Sequence, residues 1–389
     1  MSPLKIMLLF EFPSLNGGEH SMLSCIKQLK RHTADCPVLE FHAAGPASGP
    51  LADQLERLDV PLSKFDTHDA DGLKYSPAQL QEQMRRLLNS VRPDIVHSNS
   101  LSMSRNVGRM SDTLFQQTLR SGHLRDIIKL SRAAISDLNQ NDGLVAVSNA
   151  TRDYHVSRGL DASLCTPIYN GVDTEIFKST DKSAVDCKCL AGLPENAVVV
   201  LNVGQICLRK GQRDLAEAIV NLLPEHPDLH LVLVGSRHSQ KTESVEYEAD
   251  IKTAFSNLGQ GNHLHCLGYQ SEVQELMNAA DILVHVAKQE PLGRVLLEAA
   301  ACELPIVATD VGGTSEIVTN QEQALLVSPD TTSIQNGIRH FLASPKDAVA
   351  RAKSARARIQ SEFTVLVAAR QLTTFWQQLK RSSRQESLE

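Results

Sequence analysis

The chain has 389 residues, 42% hydrophobic and 22% charged, with a formal net charge of −6. That length is too great for one typical hydrophobic core and predicts two domains, and the composition is that of a soluble globular protein. The net acidity argues against bulk nucleic-acid binding, and the lack of any apolar run of about 18 residues argues against a membrane span. Acidic and basic side chains balance through residue 168, so the excess acid lies in the second half.

The N-terminal stretch MSPLKIMLLFEFPS has a short apolar run without a small-residue cleavage site. It reads as a first strand over Lys5–Phe10 and not as a signal peptide. A loop with Asn16-Gly17-Gly18-Glu19 follows, then a helix over His20–Leu29. A glycine pair at a strand-to-helix turn can bring backbone close to a ligand phosphate, although a plain tight turn explains an isolated pair better. The dinucleotide fingerprint G-x-G-x-x-G is missing. Asp69-Ala70-Asp71 lies in the polar stretch HDADG and reads as a solvated acidic turn, so no obligatory metal is expected. Val91–Asn99 reads as a proline turn and a strand, Ser102–Thr118 as a helix, and Ser121–Asp126 as the start of the next unit. His123 sits near the end of that strand, where a satisfied structural histidine is the ordinary reading. Gly143–Ser148 is a buried strand, and Ser148 is placed to cap a helix.

In the second half, Val198–Gly204 and Leu229–Gly235 are apolar strands that each close on glycine, with helical spacing over Gln212–Leu223 between them. Arg209-Lys210-Gly211 puts two cations just beyond the first of these strands. Further strands are expected at Ile282–Val286 and Pro305–Thr309, and a Gly312–Gly313 turn opens another helix. Near-continuous apolar strands alternating with helices indicate α/β architecture, with a parallel sheet covered on both faces and ligands at the carboxyl ends of the strands. The last amphipathic stretch, Phe363–Lys380, holds the only tryptophan, Trp376, and the polar tail Arg381–Glu389 is expected to fray. The eight cysteines show no zinc spacing, and Cys187-Lys-Cys189, in an expected surface segment, is their only close pair. Reduced cytosolic thiols are expected.

The richest segment is Lys288–Ala300, KQEPLGRVLLEAA, in which Glu290 and Glu298 bracket an apolar run. With Pro291 at a helix start, the N–H groups of Leu292, Gly293 and Arg294 would form a phosphate cradle. The step between the carboxylates would then be about 12 Å of axial rise. That exceeds the roughly 5–9.5 Å between a glycosidase acid and base, and suits the two ends of one extended ligand.

Taken in order, Ile168–Phe177, Val203–Ile219, Leu231–Ser236, His265–Val284, Glu290–Glu298 and Ile306–Val318 resemble the motifs of retaining glycosyltransferase family 4, which has the two-domain GT-B architecture. The resemblance spans most of residues 165–330, and Arg92–His97 (RPDIVH) also matches the family. It implies two Rossmann-like parallel-sheet domains facing a cleft. The first, residues 1–168, would serve the acceptor, completed by a C-terminal helix over 364–389 that crosses back. The second, residues 169–363, would bind the nucleotide sugar. It further implies that Glu298 holds the ribose, Glu290 the donor sugar, and Arg209 and Lys210 the diphosphate, with Gly204 at the strand end. Gly268, Tyr269 and Val273 would lie beside the base, Leu292, Gly293 and Arg294 beside the donor, and Gly17 and Gly18 across the cleft. His123 would touch the donor sugar or acceptor, with Arg125 and Asp126 as further acceptor contacts. The Asp69–Asp71 pair only superficially matches the D-x-D metal motif of another glycosyltransferase fold. Gln205 and Ala287 depart from the usual arginine and serine.

The implied activity is transfer of a sugar from a nucleotide diphosphate sugar to a hydroxyl acceptor in glycan, polysaccharide or glycolipid biosynthesis, with no obligatory cofactor. A nucleotide-sugar 2-epimerase and a non-catalytic nucleotide-sugar-binding subunit are the alternatives. UDP and GDP donors both fit, as do sugar, lipid-linked and small-molecule acceptors. A cytoplasmic location follows, with peripheral contact at the inner membrane face if Lys27, Lys30, Arg31, Arg85, Arg86 and Arg92 meet anionic lipid. A solvated surface explains those charges equally well.

Overall fold

The computed structural model describes residues 3–31, 39–180, 192–319 and 321–386. Cys36, Cys187 and Cys189 lie outside the described residues. The chain divides into two compact units, Met1–Gly171 with Val365–Glu389, and Val172–Thr364.

The first unit is built on seven parallel strands: β1 (Leu4–Leu9), β2 (Leu39–Gly45), β3 (Leu62–Lys64), β4 (Ile95–Ser98), β5 (Leu119–Leu124), β6 (Gly143–Ala146) and β7 (Cys165–Pro167). Their order across the sheet is β3-β2-β1-β4-β5-β6-β7. The apolar run in β1 is continuous because both of its faces are covered. Ile6, Leu8 and Phe10 point into one core with Met22 and Ile26 of the helix Gly17–Arg31 and with Leu372 and Trp376. Met7 and Leu9 point into the opposite core with Leu80 and Met84 of the helix Pro77–Val91. Leu372 and Trp376 belong to the closing helix Val365–Glu386, so the last helix is part of the first unit's core.

The second unit has six parallel strands: β8 (Val198–Val203), β9 (Leu229–Val234), β10 (Leu264–Gly268), β11 (Ile282–His285), β12 (Ile306–Thr309) and β13 (Leu325–Val327). Their order is β10-β9-β8-β11-β12-β13. In both sheets the third strand of the order begins the unit, and the winding reverses beside it, between β1 and β4 and between β8 and β11. Such switch points open a crevice at the carboxyl ends of the strands.

Three helix expectations need correction. The helix read over Ser102–Thr118 covers only Leu101–Gly108, with a single 3-10 turn at Asp112–Leu114. Its last residue, Gly108, packs so closely on the next helix that a Cβ would sit 1.8 Å from the Asp137 carbonyl oxygen. The helix expected over His20–Leu29 begins at Gly17, which places the glycine pair in its first turn and not in a preceding loop. The helix expected from Pro291 begins at Arg294, with Gly293 as its N-cap at φ 103°. Glu290 therefore lies outside the helix, and the axial rise reckoned from Glu290 to Glu298 does not apply.

Candidate functional site

In the second unit the strand ends converge through glycine. Gly204 N–H donates to the Val234 carbonyl at 2.8 Å, and Gly235 N–H to that of Gly268 at 2.7 Å. Any side chain at Gly235 would meet the Gly204 carbonyl, since a Cβ there lies 2.1 Å from its oxygen. The ends of β8, β9 and β10 thus form a bare backbone shelf. Tyr269, just beyond it, is 72% exposed, and Val273 opens the helix Val273–Ala279.

Beside the shelf, at the switch point, the loops after β8 and β11 bring Lys210 and Glu290 together. Lys210 Nζ lies 2.5 Å from Glu290 Oε2, and His285 Nε2 lies 2.8 Å from the same oxygen. Glu290 is only 6% exposed. Burial alone would raise its pKa, but the hydrogen bond from His285 and the charge of Lys210 outweigh burial and hold the carboxyl well below the usual range. Burial and the Lys210 charge in turn hold His285 below its ordinary pKa. At neutral pH the cluster is therefore a carboxylate, an ammonium and a neutral imidazole that donates from Nε2.

Backbone geometry fixes these loops. Gly211, at φ 67°, passes so close to β11 that a Cβ would sit 2.1 Å from the Val286 carbonyl oxygen. Gly312, at φ 56°, approaches the Glu290 carbonyl to 2.0 Å by the same measure, and Gly313 N–H donates to that carbonyl at 2.9 Å. Only glycine combines left-handed backbone with such contacts. Lys288 N–H donates to the Arg209 carbonyl at 2.8 Å, which ties the two loops directly.

Glu298 sits one helical turn from Arg294, whose Nη2 lies 2.9 Å from its Oε1. Burial pushes the Glu298 carboxyl up, opposed by the Arg294 charge and hydrogen bond. Arg209 takes a different role from Lys210: its guanidinium donates to the Gln289 carbonyl at 3.0 Å in an exposed position. Leu292 is buried and contributes packing. Gln205, at the usual arginine position, offers its carbonyl to Gln212 Nε2 at 2.9 Å.

In the first unit the equivalent switch point lies between β1 and β4. Gly18 packs on Arg125, where a Cβ would lie 2.9 Å from Cδ. Arg125 donates to the Asn99 carbonyl at 2.9 Å, to Asn99 Oδ1 at 2.8 Å and to Asn170 Oδ1 at 3.1 Å. His123, in β5, is 4% exposed and lines a cavity of about 10 Å³ with Ser21, Cys25, Arg125, Tyr169 and Asn170. Asp126 is exposed, and its backbone carbonyl accepts from His155 Nε2 at 2.9 Å. Asp69, in the acidic turn, uses Oδ1 to accept from the N–H groups of Asp71 and Leu73 at 3.0 and 2.9 Å. Among the described residues, no helix is long and apolar enough to cross a membrane. Among them, Cys25, Cys165 and Cys302 are buried free thiols, and Cys266 is exposed.

The structure thus joins Gly204, Lys210, Glu290 and Gly293 around one cluster and Glu298 with Arg294 on the adjoining helix. Sequence reading missed His285, whose only local signal was a histidine at the end of an apolar strand. It also missed Asn99 as the anchor of Arg125.

Residues 15–176 match the sequence model of Glycosyltransferase Family 4, and residues 191–358 match that of Glycosyl transferases group 1. The lipopolysaccharide core biosynthesis mannosyltransferase LpsB of Rhizobium meliloti is 26% identical over 248 residues, 63% of this chain and 68% of that protein. An alpha-maltose-1-phosphate synthase of Mycolicibacterium smegmatis is 28% identical over 238 residues, 57% of this chain and 59% of that protein. The crystal structure of Anabaena HepE in complex with UDP and glucose superposes with a TM-score of 0.81 at 23% identity, covering 96% of this chain and 99% of that one. The ordered motifs, the two switch-point sheets and these matches agree: the chain belongs to the glycosyltransferase family 4 type, with the two-domain GT-B architecture.

Proposed function

We propose that the protein transfers a sugar from a nucleotide diphosphate sugar to a hydroxyl acceptor, with retention of anomeric configuration. The observation that carries this reading is the buried Lys210–Glu290–His285 cluster at the second switch point. A departing diphosphate needs charge placed where negative charge grows, and Lys210, with Arg209 nearby, supplies it. Glu290, ionised and held by His285, accepts hydroxyls of the donor sugar. Glu298 accepts the two ribose hydroxyls. The N–H groups at the start of the helix Arg294–Ala301 and the backbone at Gly204 and Gly268 line the remainder of the donor. Lys210 and Glu290 form an ion pair, which a donor would exchange for diphosphate on one side and sugar hydroxyls on the other. Gly17, Gly18 and His123 serve the sugar or the acceptor from the first unit. The Asp69 side chain is committed to its own turn, and the reading needs no metal.

The relatives support the class of donor. HepE is seen with UDP and glucose, and LpsB is described as a mannosyltransferase. The test is incubation with UDP- and GDP-sugars in excess chelator, with and without saccharide and lipid-linked acceptors. Free nucleotide should appear together with a glycoside that keeps the donor's anomeric configuration, read by proton NMR. An inverted product would overturn retention. An epimerised nucleotide sugar from donor alone would replace transfer by isomerisation.

A further inference from the structure

Trp376, the only tryptophan of the chain, places its indole Nε1 3.2 Å from His97 Nδ1, with both side chains completely buried. An indole N–H only donates, so His97 Nδ1 accepts. A neutral imidazole carries one donor and one acceptor nitrogen. The proton of His97 is therefore on Nε2. That nitrogen lies 3.1 Å from His123 Nδ1, which must accept in turn. The proton of His123 is then on Nε2. Ser121 Oγ lies 2.8 Å from the same Nδ1 and has the Val96 carbonyl oxygen at 3.5 Å to receive its own hydrogen. The reverse assignment would set the His97 Nδ1–H against the indole N–H. Both rings are neutral: burial first and the Arg125 charge second bring His97 down to about 3 and His123 well below its ordinary range. His123 Nε2 makes no hydrogen bond to any described residue, and the ring lines the cavity shared with Arg125 and Asn170.

We propose that Trp376, acting through His97, locks His123 as a neutral Nε2–H donor, so that His123 meets its ligand by giving a hydrogen bond to an oxygen and never as a general base. Trp376 and His97 are positioning residues in this scheme. The ligand class is an oxygen lone pair, whether sugar hydroxyl or phosphate. The identification of that ligand rests on the reading of His123 as a donor-sugar or acceptor contact, whereas the tautomer relay stands on the hydrogen bonds alone.

The test is nitrogen-15 NMR of histidine-labelled full-length protein, with His97 and His123 assigned by substitution. Both rings should show a protonated Nε2 and an unprotonated Nδ1. An Nδ1–H tautomer or an imidazolium at His123 would overturn the proposal. Trp376→Phe keeps the ring but removes the N–H, and should release His97 and His123 to a mixture of tautomers. Unchanged tautomers in that variant would overturn the role of Trp376. Ser121→Ala leaves the indole in place and should leave both tautomers as they are, so it carries the test if the tryptophan variant does not fold. A tautomer switch in Ser121→Ala would assign the control to Ser121 and overturn the proposal. Titration with UDP-glucose should then shift the His123 Nε2 signal in the parent and bind a few-fold to tenfold more weakly to Trp376→Phe. Intact tautomers with no response to UDP-glucose or GDP-mannose would count against the sugar-contact reading while the relay stands.

Discussion

Glu290 and Glu298 are both glutamates in one short segment, and their surroundings push them in opposite directions. Glu290 has two donors on one oxygen and is held ionised; Glu298 is buried and partly opposed by Arg294. The folded-state pKa of Glu290 is depressed, so its stabilisation is complete above the ordinary carboxylate range and disappears only as pH falls through the lower folded value. That of Glu298 is raised. Just above the ordinary range the folded chain then holds more proton than the unfolded one, and stability falls as pH rises through that window. Replacing Glu290 with Gln leaves the Lys210 ammonium without its counterion and should cost about 3 kcal/mol in denaturant unfolding near neutral pH. The loss should shrink in strong acid, where the parent carboxylate is itself protonated. Glu298→Ala should leave the fold intact but remove two hydrogen bonds to an ionised acceptor, each worth roughly 1.5–3 kcal/mol. Calorimetry should find UDP or GDP bound at least tenfold more weakly, and unchanged affinity would remove Glu298 from the ribose site.

At the scale of elements, the site depends on how closely loops approach one another. The turn at Leu208–Lys210 ends in Gly211, which carries the left-handed conformation and lies against the Val286 carbonyl. Gly211→Ala combines strained backbone with a backbone clash and should cost at least about 2 kcal/mol. Because the same residue follows Lys210, nucleotide affinity should fall with it. A thermal scan with and without nucleotide measures both effects, and a variant as stable as the parent would show that the loop is free to move away. The start of the helix at Arg294 follows the same logic. Pro291 is permitted at a first helical position, but Gly293, at φ 103°, sets the N-cap and delays the helix.

At the scale of the molecule, the first unit is completed by the last helix. Ala369, Leu372, Phe375 and Trp376 enter the same core as Ile6, Leu8 and Phe10. A chain ending at Thr364 should lose cooperative unfolding of the first unit while the second keeps its own core, which draws its buried residues from Val200 to Ala348. Calorimetry should show one transition fewer, and limited proteolysis should leave a fragment covering the second unit. Fluorescence of the single tryptophan in the intact chain reports on the first unit alone.

Much of the fold was written in local pattern. Continuous apolar strands closing on glycine, as in Val198–Gly204 and Leu229–Gly235, are dictated by burial on both faces and are readable without a partner. The carboxylates, cations and glycines of the candidate site could be named because their types and order along the chain resemble the family's motifs. Three-dimensional packing decided what each of them touches. Lys210 and Glu290 are separated by 80 residues, and only the adjacency of β8 and β11 makes them a pair. The contact between Trp376 and His97 spans 279 residues. No local pattern can hold a hydrogen bond between side chains so far apart, since the loop that joins them is closed by the core of the whole unit. Composition and periodicity determined what this chain could assemble. Long-range burial decided which groups His97 and Glu290 meet, and in which direction the pKa values of Glu290 and Glu298 move.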